Sequence, residues 1–348
     1  VLRELTQSCK RHGLKVGVYL SPADLFQIES TDGLYGNGSQ ALPSVIPTDP
    51  ESFHVNPLKI RSDKPENAPT FNVTADDYNR YFMNQLYELL TEYGPIHEVW
   101  FDGAHPKRKG NQQYIKAVWF DMIRDLAPEA AIFGGPDIRW CGNEAGRTRP
   151  TEWSVLPVES LALSGLDRVA QDIGFDSMIT ASEYDVYGKS YQANMLMYLI
   201  AEVDVSIRHG WFWRNETEQT VRSPDDVFDM YERSVGGNAG FLLNVPPNNK
   251  GLIAERDEAC LREVGQRIRD TYDENLAADF VVSDEAVNGR LNDGKLDTYW
   301  QPDGSSGSFS IRLATPKTIN RFVLQEAIQT VGQRIKDHQL DAWIDGQW

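Results

Sequence analysis

Cysteine is scarce in this sequence, and long apolar runs are missing. Its three cysteines, Cys9, Cys141 and Cys260, are far apart and odd in number, so no disulfide framework is implied. No Cys-x-x-Cys occurs and the six histidines are scattered, which argues against a structural zinc site. No motif implies a cofactor. No apolar stretch approaches the ~20 residues of a membrane span, and no signal-peptide pattern opens the chain at Val1. The compartment therefore stays open, with secreted and periplasmic locations included. Positive charge is also short: 34 Lys and Arg stand against 51 Asp and Glu, a net −17 spread along the chain rather than gathered in a tail. That balance disfavours nucleic acid or an anionic membrane as partner and suits a neutral ligand such as a sugar. No Gly-rich phosphate turn follows the first apolar run, which disfavours an open dinucleotide-binding sheet.

What is present is an ordinary globular composition, 41% hydrophobic and 24% charged over 348 residues, enough for one large domain and a smaller one. Three N-x-S/T triplets, at Asn37, Asn72 and Asn215, are no more than chance supplies. The informative pattern is an alternation. An amphipathic segment, Leu2 to Arg11, precedes the apolar run Leu14–Ser21. A long irregular insertion, Pro22 to about Asn72, follows. Thr74-Ala-Asp-Asp77 reads as a helix N-cap, with Tyr78, Phe82, Leu86, Leu89 and Tyr93 at helical spacing and Gly94 as the stop. Then come the run EVWFDG (Glu98–Gly103), a helix over Gln112–Ala127, the run Ala130–Gly135, a helix near Ser190–Glu202 and the run Asp204–Trp213. A helix near Pro224–Val235, the run Gly240–Pro247 and a helix carrying Leu261, Val264 and Ile268 complete this part.

Nearly all-apolar strands alternating with helices predict a parallel sheet covered by helices. Polar and aromatic residues gather where strands end, at Ser21, Asp102, Asp137, Trp211 and Asn244, as in a (β/α)8 TIM-like barrel. Five strands are clear and a sixth lies near Phe175–Ala181, where a barrel needs eight. The expected architecture is thus an α/β barrel over residues 1–274, N-terminally incomplete, with its first strands upstream of Val1. Past about Asn275 short alternating runs (Phe280–Val282, Ser308–Leu313, Ile319–Leu324, Leu340–Ile344) separated by turns predict an antiparallel β-sandwich over 275–348, truncated at Trp348.

A strand that only fills a core has no use for a carboxylate at its end. Asp102 follows Trp100 and Phe101, and its two readings, a loop cap and a catalytic group, stand level on position alone. Further carboxylates lie just past the next strand end, Glu144 in Trp-Cys-Gly-Asn-Glu and then Glu152 beside Trp153. Two carboxylates amid aromatics fit glycoside hydrolysis, where one attacks the anomeric carbon and the other protonates the leaving oxygen and later activates water. Tyr19, Trp100, Trp140, Trp153, Trp211 and Trp213 could stack on sugar rings, or each could be packing.

These segments resemble the α-L-fucosidases of glycoside hydrolase family 29. The resemblance runs from about Gly13 to Val264 through Gly17-Val-Tyr-Leu-Ser-Pro22, Glu98–Ala104, Gly135-Pro-Asp-Ile-Arg-Trp140, Trp140–Glu144, Asp204-Val-Ser-Ile-Arg208 and Leu242-Leu-Asn-Val-Pro-Pro247. It implies a retaining exo-fucosidase acting on fucosylated oligosaccharides or glycoconjugates, with Asp102 as nucleophile and Tyr19, Trp100, Arg139 and Trp211 lining the fucose pocket. The W-x-G-N-E segment is similar to the branch acting on α1,3- and α1,4-linked fucose, which implies Glu144 as acid/base, with Glu152 as runner-up. Those roles need Glu144 to carry a proton and Asp102 to be ionised, the latter favoured by hydrogen bonds or a cation such as Arg139. The family's His-Trp and His-His-Asp segments have no match and would sit upstream of Val1. The C-terminal stretch with Asn292–Trp300 looks like a discoidin-type (coagulation factor type C) domain, some members of which bind sugars. Another barrel glycosidase, and a carbohydrate-binding protein with a decayed barrel, remain the alternatives.

Overall fold

The computed structural model describes residues 1–24, 26–27, 33–48, 69–102, 112–149, 152–158, 195–215, 220–276, 278, 280–282 and 290–348. The chain divides into two compact units, Val1–Trp140 with Val158–Asp172, and Cys141–Pro157 with Ile173–Trp348.

The first unit opens with α1 (Leu2–Arg11) and β1 (Gly17–Leu20). The insertion read as irregular contains an antiparallel ribbon of β2 (Leu42–Ile46) and β3 (Phe71–Ala75), paired from Leu42 with Ala75 to Ile46 with Phe71. That pairing takes up the backbone of Thr74, so the next helix, α2 (Asp77–Glu92), starts later than the expected cap. Its N-cap is Asp76, whose carboxylate accepts from the Asn79 N–H at 2.8 Å. The apolar stripe of α2, with Tyr78, Phe82, Met83, Leu86 and Leu90, is buried, and Gly94 at φ +96° follows its end. β4 (Glu98–Phe101), α3 (Lys116–Leu126), β5 (Ala131–Phe133) and β6 (Ile138–Trp140) complete the unit. α3 begins later than the expected Gln112, with Ile115 at its N-cap; the Gln112 side chain donates to Asp76 at 2.7 Å and accepts from the Gly36 N–H at 3.0 Å.

β1 pairs with β4, β4 with β5 and β5 with β6, and the first two pairings and the third are all parallel. Alternation sends Val18, Val99, Phe101 and Ile132 into one core with Phe82, Leu86, Trp119 and Phe120 of the helices. The Phe82 and Trp119 rings are 4.2 Å apart between centroids. A brace closes the β5–β6 connection: Asp137 is ion-paired with Arg124 at 2.5 Å and accepts from the Ile132 N–H at 2.8 Å. Asp137, one of the polar strand-end residues, is thus structural.

Beyond Trp140 come β7 (Val155–Val158), β8 (Met195–Tyr198), β9 (Ile200–Ser206), α4 (Pro224–Val235), β10 (Ala239–Asn244) and α5 (Glu255–Tyr272). The helix expected near Ser190–Glu202 is corrected: its described part is strand. β9 is buried on both faces from Ala201 to Ser206, and a strand buried on both sides reads as a continuous apolar run that periodicity cannot separate from a buried helix. β9 and β10 pair in parallel from Ala201 with Ala239 to Ser206 with Asn244. α4 is capped by Ser223, whose hydroxyl accepts from the Asp226 N–H at 3.1 Å, with Pro224 next. α5 buries Val264, with Leu261 and Ile268 packed beside it, as its pattern implied. The possible strand near Phe175–Ala181 lies outside the described residues.

The expected sandwich is not observed. Among the described residues past 275, β11 (Val281–Val282) pairs antiparallel with β12 (Ile311–Arg312) over two residues, and α6 (Ile328–Val331) is the one helix. Phe322, Val323, Leu324, Leu340, Trp343 and Ile344 are exposed.

One ion pair in the second unit is fully buried, Arg208 Nε to Asp257 Oδ2 at 2.9 Å, with both side chains at 0% exposure. Removing Asp257 takes its counter-charge from a fully buried guanidinium, so Asp257→Ala should cost about 3–5 kcal/mol, read as a lowered urea midpoint. Asp229→Ala, which breaks the exposed pair with Arg233, should barely move it. Equal shifts in both variants would contradict this reading of the buried pair.

Candidate active site

The register of β1 with β4 sets Tyr19 beside Trp100 and Leu20 beside Phe101, which brings the next residues, Ser21 and Asp102, to adjacent strand ends. The Ser21 hydroxyl donates to the Asp102 carbonyl at 2.9 Å, and the Tyr19 hydroxyl donates to Asp102 Oδ2. Opposite the helix-covered core, three rings stack across three neighbouring strands. Tyr19 and Trp100 lie 5.5 Å apart at 18°, and Trp100 and Phe133 lie 4.0 Å apart at 10°. Tyr19 is 61% exposed at the open end of the stack, and the Asp102 carboxylate beside it is exposed.

The chain after β1 is held from below. The Tyr78 hydroxyl donates to the Pro22 carbonyl, Tyr114 donates to the same oxygen at 3.3 Å, and the Ala23 N–H donates to Ser21 Oγ at 3.2 Å. A cavity of about 420 Å³ opens here, lined by Tyr19, Ser21, Asp24, Phe26, Tyr78 and Gln85 among others. Tyr19 resists ionisation: partial burial of its hydroxyl raises its pKa well above the ordinary tyrosine value, and the hydrogen bond to Asp102 and that group's charge raise it further. Tyr19 therefore stays a donor to Asp102 throughout the neutral range. Arg139 lies on β6, 3% exposed.

Apart from Trp140, which ends β6, the other candidates belong to the second unit. Glu144 is exposed and accepts from the Trp211 indole N–H at 3.3 Å. Glu152 has a different character. It is 3% exposed and ion-paired with Arg149; its Oε2 also accepts from the Arg149 N–H at 3.2 Å. A carboxylate so enclosed serves the local chain, whereas Glu144 is open to a ligand. Trp140, Trp153, Trp211 and Trp213 are all half-buried. Among the described residues no group of three or more His, Cys, Asp or Glu could hold a metal ion, and no helix is long and apolar enough to cross a membrane.

Sequence reasoning missed the Tyr19–Asp102 contact, because it needs the β1–β4 register, and it missed the polar bonds between the ends of β9 and β10. Ser21 and Asn244 were visible only as polar residues closing apolar runs.

A sequence model of the alpha-L-fucosidase family matches residues 1–271. Alpha-L-fucosidase 1 of Arabidopsis thaliana is 35% identical over 288 residues, 78% of this chain and 53% of that protein. The chain spans about half the length of the curated relatives it matches. Among solved structures, a Bacteroides ovatus ATCC 8483 protein superposes with a TM-score of 0.59 at 31% identity, covering 81% of this chain and 42% of that one. The Ruminococcus gnavus GH29 fucosidase E1_10125, solved in complex with fucose, gives 0.58 at 26% identity, covering 86% and 55%.

The Tyr19 phenol offers a direct check. A folded pKa above the unfolded value of about 10 contributes stability that is fully present below pH 10 and is lost as pH rises through the folded pKa. In a carbon-13 titration of labelled tyrosines, with Tyr19→Phe for assignment, Tyr19 should ionise later than an unperturbed tyrosine. Asp102→Asn should bring it part of the way back, since burial persists. An ordinary midpoint in the unaltered protein would refute the hydrogen bond.

Proposed function

The chain belongs to the alpha-L-fucosidase family, glycoside hydrolase family 29, and we propose that it is the catalytic part of a retaining exo-α-L-fucosidase acting on α1,3- and α1,4-linked fucose of glycans. The observation that carries this reading is Asp102 itself: an exposed carboxylate at the C-terminal end of a parallel strand, beside a stack of aromatic rings, within the span matched by the family. Strand ends of this kind are where such folds keep their chemistry.

In this reading Asp102 is the nucleophile. It attacks the anomeric carbon of fucose as the bond to the leaving oxygen breaks, and Glu144 gives that oxygen its proton. Glu144, now ionised, takes a proton from water, which attacks the same carbon and frees Asp102 with retention at the anomeric centre. Tyr19 and Ser21 hold Asp102 by its carboxylate and its backbone. Tyr19, Trp100, Arg139 and Trp211 are the proposed contacts to fucose, the stacked rings offering apolar faces to the C–H face of the sugar. The exposure of Glu144 against the enclosure of Glu152 supports the choice of acid/base.

The domain reading proposed with it has a (β/α)8 barrel, its first strands missing, over 1–274 and a partial, discoidin-like β-sandwich over 275–348, a type of domain some members of which bind sugars. Parallel strands backed by helices support the first. The second rests on the sequence resemblance.

The test is fucose release by the full-length polypeptide from a Lewis-type trisaccharide, an α1,2-linked fucosyl disaccharide and a galactosyl control. Release from the trisaccharide alone is expected. Asp102→Asn should abolish it with the fold intact, and Glu144→Gln should lower it by about 10²–10⁴-fold. Turnover surviving Asp102→Asn would remove the nucleophile, and release of galactose would favour another glycosidase. No release of any sugar, with binding retained, would leave a carbohydrate-binding protein.

A further inference from the structure

We propose that Asn244 is a positioning residue for Glu144, acting through Trp211; the proposal rests on the reading of Glu144 as proton donor. Ser206 and Asn244 face each other at the last paired position of β9 and β10. The Asn244 side-chain amide spends both its hydrogens there, donating to Ser206 Oγ at 2.9 Å and to the Trp211 carbonyl at 3.0 Å. The Ser206 hydroxyl in turn donates to the Gly210 carbonyl at 2.8 Å and accepts from the Arg208 N–H at 3.3 Å. The segment 207–211 is therefore tied at its start, middle and end to two strand-end side chains.

Its outer anchors are equally specific. Arg208 reaches back to Asp257 on α5 in the buried ion pair. Arg222 holds the other side, its N–H donating to the Ile207 carbonyl at 2.8 Å and its Nε to the Ser206 carbonyl at 2.9 Å. Gly210 turns the chain at φ +113°, where a side chain would be strained. At the end of this tied segment Trp211 points its indole N–H at Glu144 Oε2.

Glu144 needs such help. Its carboxylate is exposed on a flexible side chain, and among the described residues Trp211 is the side chain that hydrogen-bonds it. An acid must meet the leaving oxygen within hydrogen-bond reach, and misplacement by about 1 Å can cost 10²-fold. Asn244 touches neither Glu144 nor, in this assignment, the sugar. Its effect passes through the Trp211 backbone to the indole and from there to the acid.

Leaving-group dependence separates this role from a merely structural one. A nitrophenolate leaves without a proton, whereas a sugar alcohol leaves with one. We would measure kcat/KM, which reports the first glycosyl transfer, on a nitrophenyl fucoside and a fucosylated trisaccharide. The full-length polypeptide would be compared with its Glu144→Gln, Asn244→Asp, Trp211→Phe and Ser206→Ala variants. Asn244→Asp keeps the shape and replaces both donors by acceptors. It should lose about 10–100-fold on the trisaccharide and less than about threefold on the aryl substrate, and Ser206→Ala should show the same selectivity if Asn244→Asp does not fold. Loss on both substrates alike, or on neither, in Asn244→Asp and Ser206→Ala while Glu144→Gln is selective overturns the proposal alone. No selectivity in Glu144→Gln overturns the acid/base reading and the proposal with it.

Discussion

The parallel register of β1 with β4 is the constraint on which the first unit's chemistry depends. It sets Tyr19 against Trp100 and carries Ser21 to the level of Asp102. Shift that pairing by one residue and every side chain changes face: Tyr19 would turn into the helix-covered core, and Val18 would replace it beside the carboxylate. The core enforces the register, because Val18, Val99, Phe101 and Ile132 must all meet the rings of α2 and α3. Packing on one face of the sheet thereby fixes hydrogen bonding at the edge of the other.

The second unit solves a different problem. Its groups of interest lie on connections rather than at strand ends, and connections are free to move unless tied. Here the ties are polar: the Asn244 amide, the Ser206 hydroxyl, the Arg208–Asp257 pair and the Arg222 guanidinium. Glu152 and Arg149 are a further case, a carboxylate withdrawn from solvent to hold its own turn.

Much of this was readable in the residues. The helices at Leu2–Arg11 and Pro224–Val235 match their patterns at both ends, because exposed amphipathic helices carry a 3.6-residue period and caps. The first half of β9 reads as helix in the sequence, because burial on both faces erases the alternation that marks a strand. The ribbon of β2 and β3 was missed since its pairing partners are far apart in the chain and Pro43 interrupts the pattern. Asp102 was singled out by its place at the end of an apolar run. Its bond to Tyr19 was not, because no spacing along one strand reveals what stands opposite on the next. In the same way the resemblance ranked Glu144 over Glu152, but their opposite exposure is visible only in what surrounds them.

β1 has one further property. Among the described residues it pairs with β4 alone. Such an edge is a template for strand addition, and with it for unwanted polymerisation. The template is only four residues long, Gly17–Leu20, and Pro22, which has no N–H to offer, comes two residues later. A strand pairing there finds room for a few bonds and then a stop.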